Sequence, residues 1–215
     1  MRELYLECYS GISGDMTVAA LLDLGVPGEY LMKELEKLHL DGYEIKISRT
    51  KKNQITATDF DVILKDEHKE EHGHEHAHTH VNDEDVKECH EQEHSHEHTH
   101  VHNSYREIKE FILASELSDR VKERILKLFQ VIAEAEAQVH GTAVDEVHFH
   151  EVGAVDSIVD ISAAAICLDY LGFDSIVTSE IWEGKGHVWC QHGRIPVPAP
   201  AVLAIFSKSQ TRLHL

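Results

Sequence analysis

Leu4, Leu6 and Cys8 alternate with polar or charged neighbours, the period of a short half-buried strand. That strand leads into SGISGD, Ser10 to Asp15, where two glycines permit a tight turn. The period then changes. Met16, Ala19, Ala20 and Leu24 recur at helical spacing and Gly25 and Pro27 stop the pattern, which predicts a helix from about Asp15 to Leu24. Leu31, Leu35 and Leu38 make one apolar stripe on a second helix over Glu29 to Leu38. Alternation returns in Tyr43, Ile45 and Ile47 and in Phe60, Val62 and Leu64, which predicts two strands.

Farther along, Tyr105 to Leu113 reads as a helix. So does the segment after Ser118, a suitable N-cap, with Gly141 just beyond its end. Val121, Ile125, Leu128, Ile132, Ala135 and Val139 step by threes and fours and predict the buried face of that longer helix. A small-residue helix is expected over Ser157 to Leu171, then a strand over Ser175 to Ile181, then a loop through EGKGHVWCQHGRIPVPAPA. Pro196, Pro198 and Pro200 favour extended chain there, and the closing residues AIFSKSQTRLHL do not read as a capped helix.

The fold class that follows is α/β or α+β, with small mixed sheet units and packed helices, interrupted by a disordered His-rich insertion. The expected divisions are 1–65, a strand-loop-helix and hairpin unit; 66–102, the insertion; 103–206, a helix-led unit; and 207–215, an atypical tail that looks truncated or out of frame.

Charge sharpens this picture. The formal net charge is -19, and residues 66–102 contribute more than half of it while holding 12 of the 19 histidines. Such a balance excludes a nucleic-acid backbone as partner, because phosphate contacts need clustered Lys and Arg. The four cysteines form no C-x-x-C pair, so neither a zinc ribbon nor a disulfide framework is indicated. No leader-like or membrane-spanning apolar run is found, and the expected setting is cytoplasmic with no membrane partner. A homo-oligomer is compatible with all of this.

The insertion repeats itself. EHGHEHAHTH (Glu71 to His80) and EHSHEHTHVH (Glu93 to His102) set a histidine at every second position and agree at seven of ten places. Imidazole suits nickel, copper and zinc, but a flexible H-x-H tract fixes no geometry, so gathering metal fits it better than selective catalysis. A solvated linker is the plain alternative.

Three further stretches carry chemistry. In SGISGDM, Ser13, Gly14 and Asp15 stand where helix N-terminal amides attract anions, although the P-loop pattern is missing and a tight turn capped by Asp15 explains the residues equally. In VHFHEVGAVDSIVDI, an extended Val147 to Glu151 would project His148 and His150 from one face, with Val147 and Phe149 on the other. Asp156 and Asp160, four apart, would share a helix face and complete a nitrogen and oxygen shell, or simply cap and solvate the helix end. His187 and His192 sit in the glycine-bearing loop before IPVPAPA, which is otherwise an ordinary surface connection.

Taken in order, YSGISGDMTVAALLDLGVP, the His-rich insertion, FHEVGAVDSIVDI and HGRIPVPAPA resemble the nickel-insertion proteins of nickel-pincer nucleotide cofactor biosynthesis, the LarC-type family. The resemblance covers the chain to about Ala204 and implies a CTP-dependent cyclometallase, a lyase that places nickel into pyridinium-3,5-bisthiocarboxylic acid mononucleotide for lactate racemase maturation. It implies CTP with magnesium or manganese in the complete protein, an anionic nucleotide-type substrate, and a C-terminal domain or companion chain.

From residue chemistry, Ser13, Gly14 and Asp15 are candidates for the nucleotide phosphate. His148, His150, Glu151 and Asp156 are candidates for catalysis, and His148, His150, Asp160, His187 and His192 for metal. A non-catalytic nickel storage or delivery module is the competing reading.

Overall fold

The computed structural model describes residues 1–65, 104–149, 154–190 and 192–214. The chain runs β1 (Glu3–Leu6), α1 (Gly14–Asp23), α2 (Gly28–Glu36), β2 (Tyr43–Lys52), β3 (Ile55–Leu64), α3 (Tyr105–Ala114) and α4 (Asp119–His140). A single 3-10 turn, Val144–Glu146, precedes α5 (Val155–Leu171), and β4 (Ser175–Thr178), β5 (Ile181–Trp182), β6 (Gly186–Cys190), β7 (Gly193–Val197), α6 (Pro200–Lys208) and β8 (Leu213–His214) complete it. The class is the expected mixture of helices and small sheets. Residues 66–103, with the repeated histidines, lie outside the described residues.

Helix α5 is the hub. Its first two thirds, rich in small and branched residues, bury Ile158, Val159, Ala163, Ala165, Ile166 and Cys167, and α1, α2, α4 and β3 all pack on it. One cluster of buried side chains draws on both sides of residues 66–103, from Val18, Leu31 and Phe60 to Ile125, Phe129 and Ile166. Within α4 the buried residues are Val121, Ile125, Phe129, Ala133, Ala135 and Ala137. The predicted stripe is corrected there: Leu128 and Val139 are exposed, and Phe129 packs against Phe149 with ring centroids 6.2 Å apart. The same kind of rotation occurs in α1, where Val18, Ala19 and Leu21 are buried while Met16 and Leu24 face outward.

The caps follow the sequence. Ser118 accepts the Val121 N–H, and Gly141 ends α4 in the left-handed region at φ 68°. Ser104 and Glu107 form a reciprocal capping box at the start of α3.

Among the described residues the strands pair two by two. β1 lies parallel to β4, from Glu3 beside Ser175 to Leu6 beside Thr178, so the start of the chain is fixed against the strand that follows α5. β2 and β3 form a hairpin longer than the alternation predicted, turning through Asn53 and Gln54, both at positive φ.

The segment expected to be a loop differs most. Gly186–Cys190 and Gly193–Val197 pair as an antiparallel hairpin, and Pro200 opens α6 at its first turn, where a missing N–H costs nothing. β8 then pairs in parallel with β5. No helix among the described residues is long and apolar enough to cross a membrane.

Candidate functional site

The turn after β1 is built by backbone anchors. The Cys8 N–H donates to Ser179 Oγ at 2.8 Å, and the Gly11 and Trp182 amides both donate to the Cys8 carbonyl at 3.2 Å. These bonds tie the turn to the segment joining β4 and β5. They also aim the N-terminus of α1 at the first turns of α5.

Contact between the two helices is close at Gly14. A Cβ placed there would lie 2.5 Å from Asp160 Oδ2 and 2.8 Å from Asp160 Cβ, so only glycine admits this approach. The pKa of Asp160 is raised to about 6, because burial disfavours the charged form and the carboxylates of Asp15 and Asp156 repel it, which the nearby Asp15 backbone N–H offsets only in part. Its Oδ1 is buried without a hydrogen-bond partner among the described residues.

The neighbouring groups are partly spent. Ser13 Oγ donates to Asp15 Oδ1 at 2.5 Å, and Asp156 accepts the Ser157 N–H at 2.8 Å in the first turn of α5. The N-cap position of α5 is Ala154, with no side-chain cap, so the expected capping by Asp156 is corrected to a bond inside the first turn.

Ser13, Gly14, Asp15, Asp156 and Asp160 are thus brought together. The result is an acidic corner and not a simple anion cradle. Three carboxylates oppose a bare phosphate, and a divalent cation between them and the phosphate would reverse the sign of the field.

The other candidates fall elsewhere. His148 is exposed, opposite the buried Val147 and Phe149, as the alternation predicted. His150 and Glu151 lie outside the described residues. His187 stands on β6 with Nδ1 3.4 Å from an Arg194 guanidinium nitrogen, whose charge opposes a cation at that ring.

His192, at the turn between β6 and β7, has Nδ1 3.9 Å from Cys190 Sγ and its ring centroid 5.0 Å from that of His140. Neither His140 nor Cys190 was singled out by the sequence; the four-residue spacing of Glu136 and His140 at the end of a predicted helix was the available signal. Among the described residues no group of three or more His, Cys, Asp or Glu side chains is placed to hold a metal ion. Two shallow depressions lie away from these residues, one beside Leu113, Lys122 and Leu126 and one beside Thr178, Glu180 and Arg212.

Residues 4–214 match the family described as nickel insertion protein, and the chain belongs to that family. The match includes the final segment from residue 207 to 214.

The pyridinium-3,5-bisthiocarboxylic acid mononucleotide nickel insertion protein of Alkaliphilus metalliredigens is 50% identical over 220 residues, covering 100% of this chain and 48% of its own. The protein of the same description from Clostridium acetobutylicum is 56% identical over 207 residues, covering 95% of this chain and 49% of its own. The chain therefore spans about half the length of the curated relatives it matches. No solved structure matches it.

Proposed function

We propose that this chain supplies the proton-accepting part of a nickel-insertion enzyme that converts pyridinium-3,5-bisthiocarboxylic acid mononucleotide into its nickel-pincer form, used by lactate racemase. The family match and the relatives' names support the reaction. The observation that carries the reading is the Asp160 carboxyl, partly buried against Gly14 and held near neutral pKa by its surroundings.

Nickel is a substrate here, and the balance is simple: a ring C–H is lost, a carbon–nickel bond forms and one proton leaves. A carboxylate with a pKa near 6 is ionised at neutral pH and basic enough to take that proton. Burial, and then repulsion by Asp15 and Asp156, raise its basicity.

Asp15 and Asp156 also provide hard oxygen donors of the kind magnesium or manganese takes. Through such a cation the anionic substrate would approach the α1 N-terminus despite the acidic field. The His-rich tract, outside the described residues, acts in this reading as a nickel reservoir. CTP binding belongs to the C-terminal remainder that the relatives carry, whether on the same chain or a companion.

The test is single-turnover insertion with the chain and that remainder together, followed by absorbance of the product. Asp160→Asn should slow the proton-loss step by about 10²-fold or more while nickel uptake is retained. A rate within about twofold of the unsubstituted protein would remove Asp160 from the reaction.

A further inference from the structure

A second group of donors lies at the far end of α4, away from the acidic corner. His140 occupies the last position of that helix, with Nε2 3.2 Å from Glu136 Oε2, one turn earlier. The turn between β6 and β7 brings His192 against it, ring centroids 5.0 Å apart, and Cys190 Sγ lies 3.9 Å from His192 Nδ1. Two imidazoles and a thiol therefore meet at a surface, supplied by two elements that are distant in sequence.

We propose that His140, Cys190 and His192 form a docking site for a divalent transition-metal ion, with Glu136 positioning the His140 ring. Three features support it. Nitrogen and sulfur donors together select borderline and soft ions such as nickel or zinc over magnesium or calcium. A carboxylate on one nitrogen of a histidine is the usual arrangement behind a metal-bound imidazole, because it fixes ring orientation and raises ligand basicity. Cys190 is also the accessible thiol among the described residues, since Cys8 and Cys167 are buried and burial raises the pKa of both, that of Cys167 to about 12.

As placed, the three donors do not converge on a metal position, and no group of three among the described residues does. The two rings are already neighbours, and bringing the three donors to one centre requires rotation about the side-chain torsions of Cys190 and His192. On binding, the Cys190 sulfur gives its proton to solvent and becomes the thiolate ligand. One side of such a site stays open to water, which suits an ion held in passage. Choosing nickel as its cargo rests on the proposed insertion reaction; the existence of the site does not.

The experiment reads Cys190 directly and uses neither the pincer precursor nor CTP, so its failure and that of the insertion reading are separable. In the full chain carrying Cys89→Ser, alkylation of Cys190 by iodoacetamide is followed by peptide mass spectrometry with and without Ni²⁺ in excess over all histidines. Nickel should slow alkylation at least about tenfold, and His140→Ala or His192→Ala should restore most of the metal-free rate. Glu136→Gln should weaken the nickel concentration dependence by about tenfold without changing the metal-free rate, as expected of a positioning residue. Equal alkylation rates with and without nickel would overturn the site. So would protection that survives both histidine substitutions, which would identify nickel on Cys190 as adventitious.

Discussion

Asp160 and His192 are both candidate ligands, yet they stand in opposite surroundings. Asp160 sits on the central helix, half withdrawn from water, pressed against a glycine and crowded by two like charges. His192 sits at a hairpin turn, beside a thiol and another imidazole. Desolvation tunes the first group, because taking a carboxylate from water raises its proton affinity. Exposure gives the second its use, since solvated nitrogen and sulfur donors can accept and release a metal without reorganising a core. Substitutions should therefore be felt in folding at the acidic corner and in metal binding at the other.

The largest effect is expected from Gly14→Ala. Alanine is ordinarily the better helix former, so without a contact the change would stabilise. The added methyl, however, meets Asp160 Cβ at 2.8 Å, and that atom is fixed to the α5 backbone and cannot swing away. Overpacking of this kind should cost about 1–3 kcal/mol, read as a lower urea midpoint at unchanged slope. Pairing it with Asp160→Gly tests the cause: the double variant should recover part of the loss attributable to Gly14→Ala. A stabilised Gly14→Ala protein would show that the two helices are not in contact.

Asp160→Asn comes next, and its sign depends on pH. The folded carboxyl has a pKa near 6, above the ordinary aspartate value, so the native state binds more protons than the unfolded one between about pH 4 and 6. Stability then falls as pH rises through that window, and the penalty is fully present above it. Asparagine carries no such penalty. The variant should be more stable than the unsubstituted chain by about 1–2 kcal/mol at pH 7, allowing for partial solvent screening, with the advantage gone below about pH 4. Denaturant midpoints across pH 3.5 to 8 measure it, and a parallel pair of curves would contradict the raised pKa.

Much of this arrangement was legible along the chain, in the elements whose burial is periodic. Both ends of α4 follow from Ser118 and Gly141, where a side-chain cap and a left-handed glycine act locally. The β6 and β7 hairpin escaped because Val188 and Trp189 are both exposed and leave no alternation to read. Pro196, Pro198 and Pro200 also suggested irregular chain, although Pro196 is tolerated in a two-stranded ladder and Pro200 opens the helix that follows.

At the sites, the spacing of Asp156 and Asp160 placed both on α5, as four residues on a helix must be. Nothing local could place Gly14 against Asp160, or His140 against His192. Those contacts arise from packing between elements far apart in sequence.

His140→Ala should have the smallest effect on folding, and for that reason it separates the two corners most cleanly. His140 is about one third exposed, and its recorded partner within α4 is Glu136, one turn back. A pair of this spacing on a helix surface contributes about 0.2–0.5 kcal/mol. Thermal unfolding without metal should thus shift by no more than a few degrees, while nickel protection of Cys190 is lost. If the midpoint instead fell as far as it does for Gly14→Ala, His140 would be a packing residue and the difference between the corners would disappear. A small shift together with lost protection assigns the ring to the metal, because a purely structural histidine would not change the chemistry of a thiol fifty residues away.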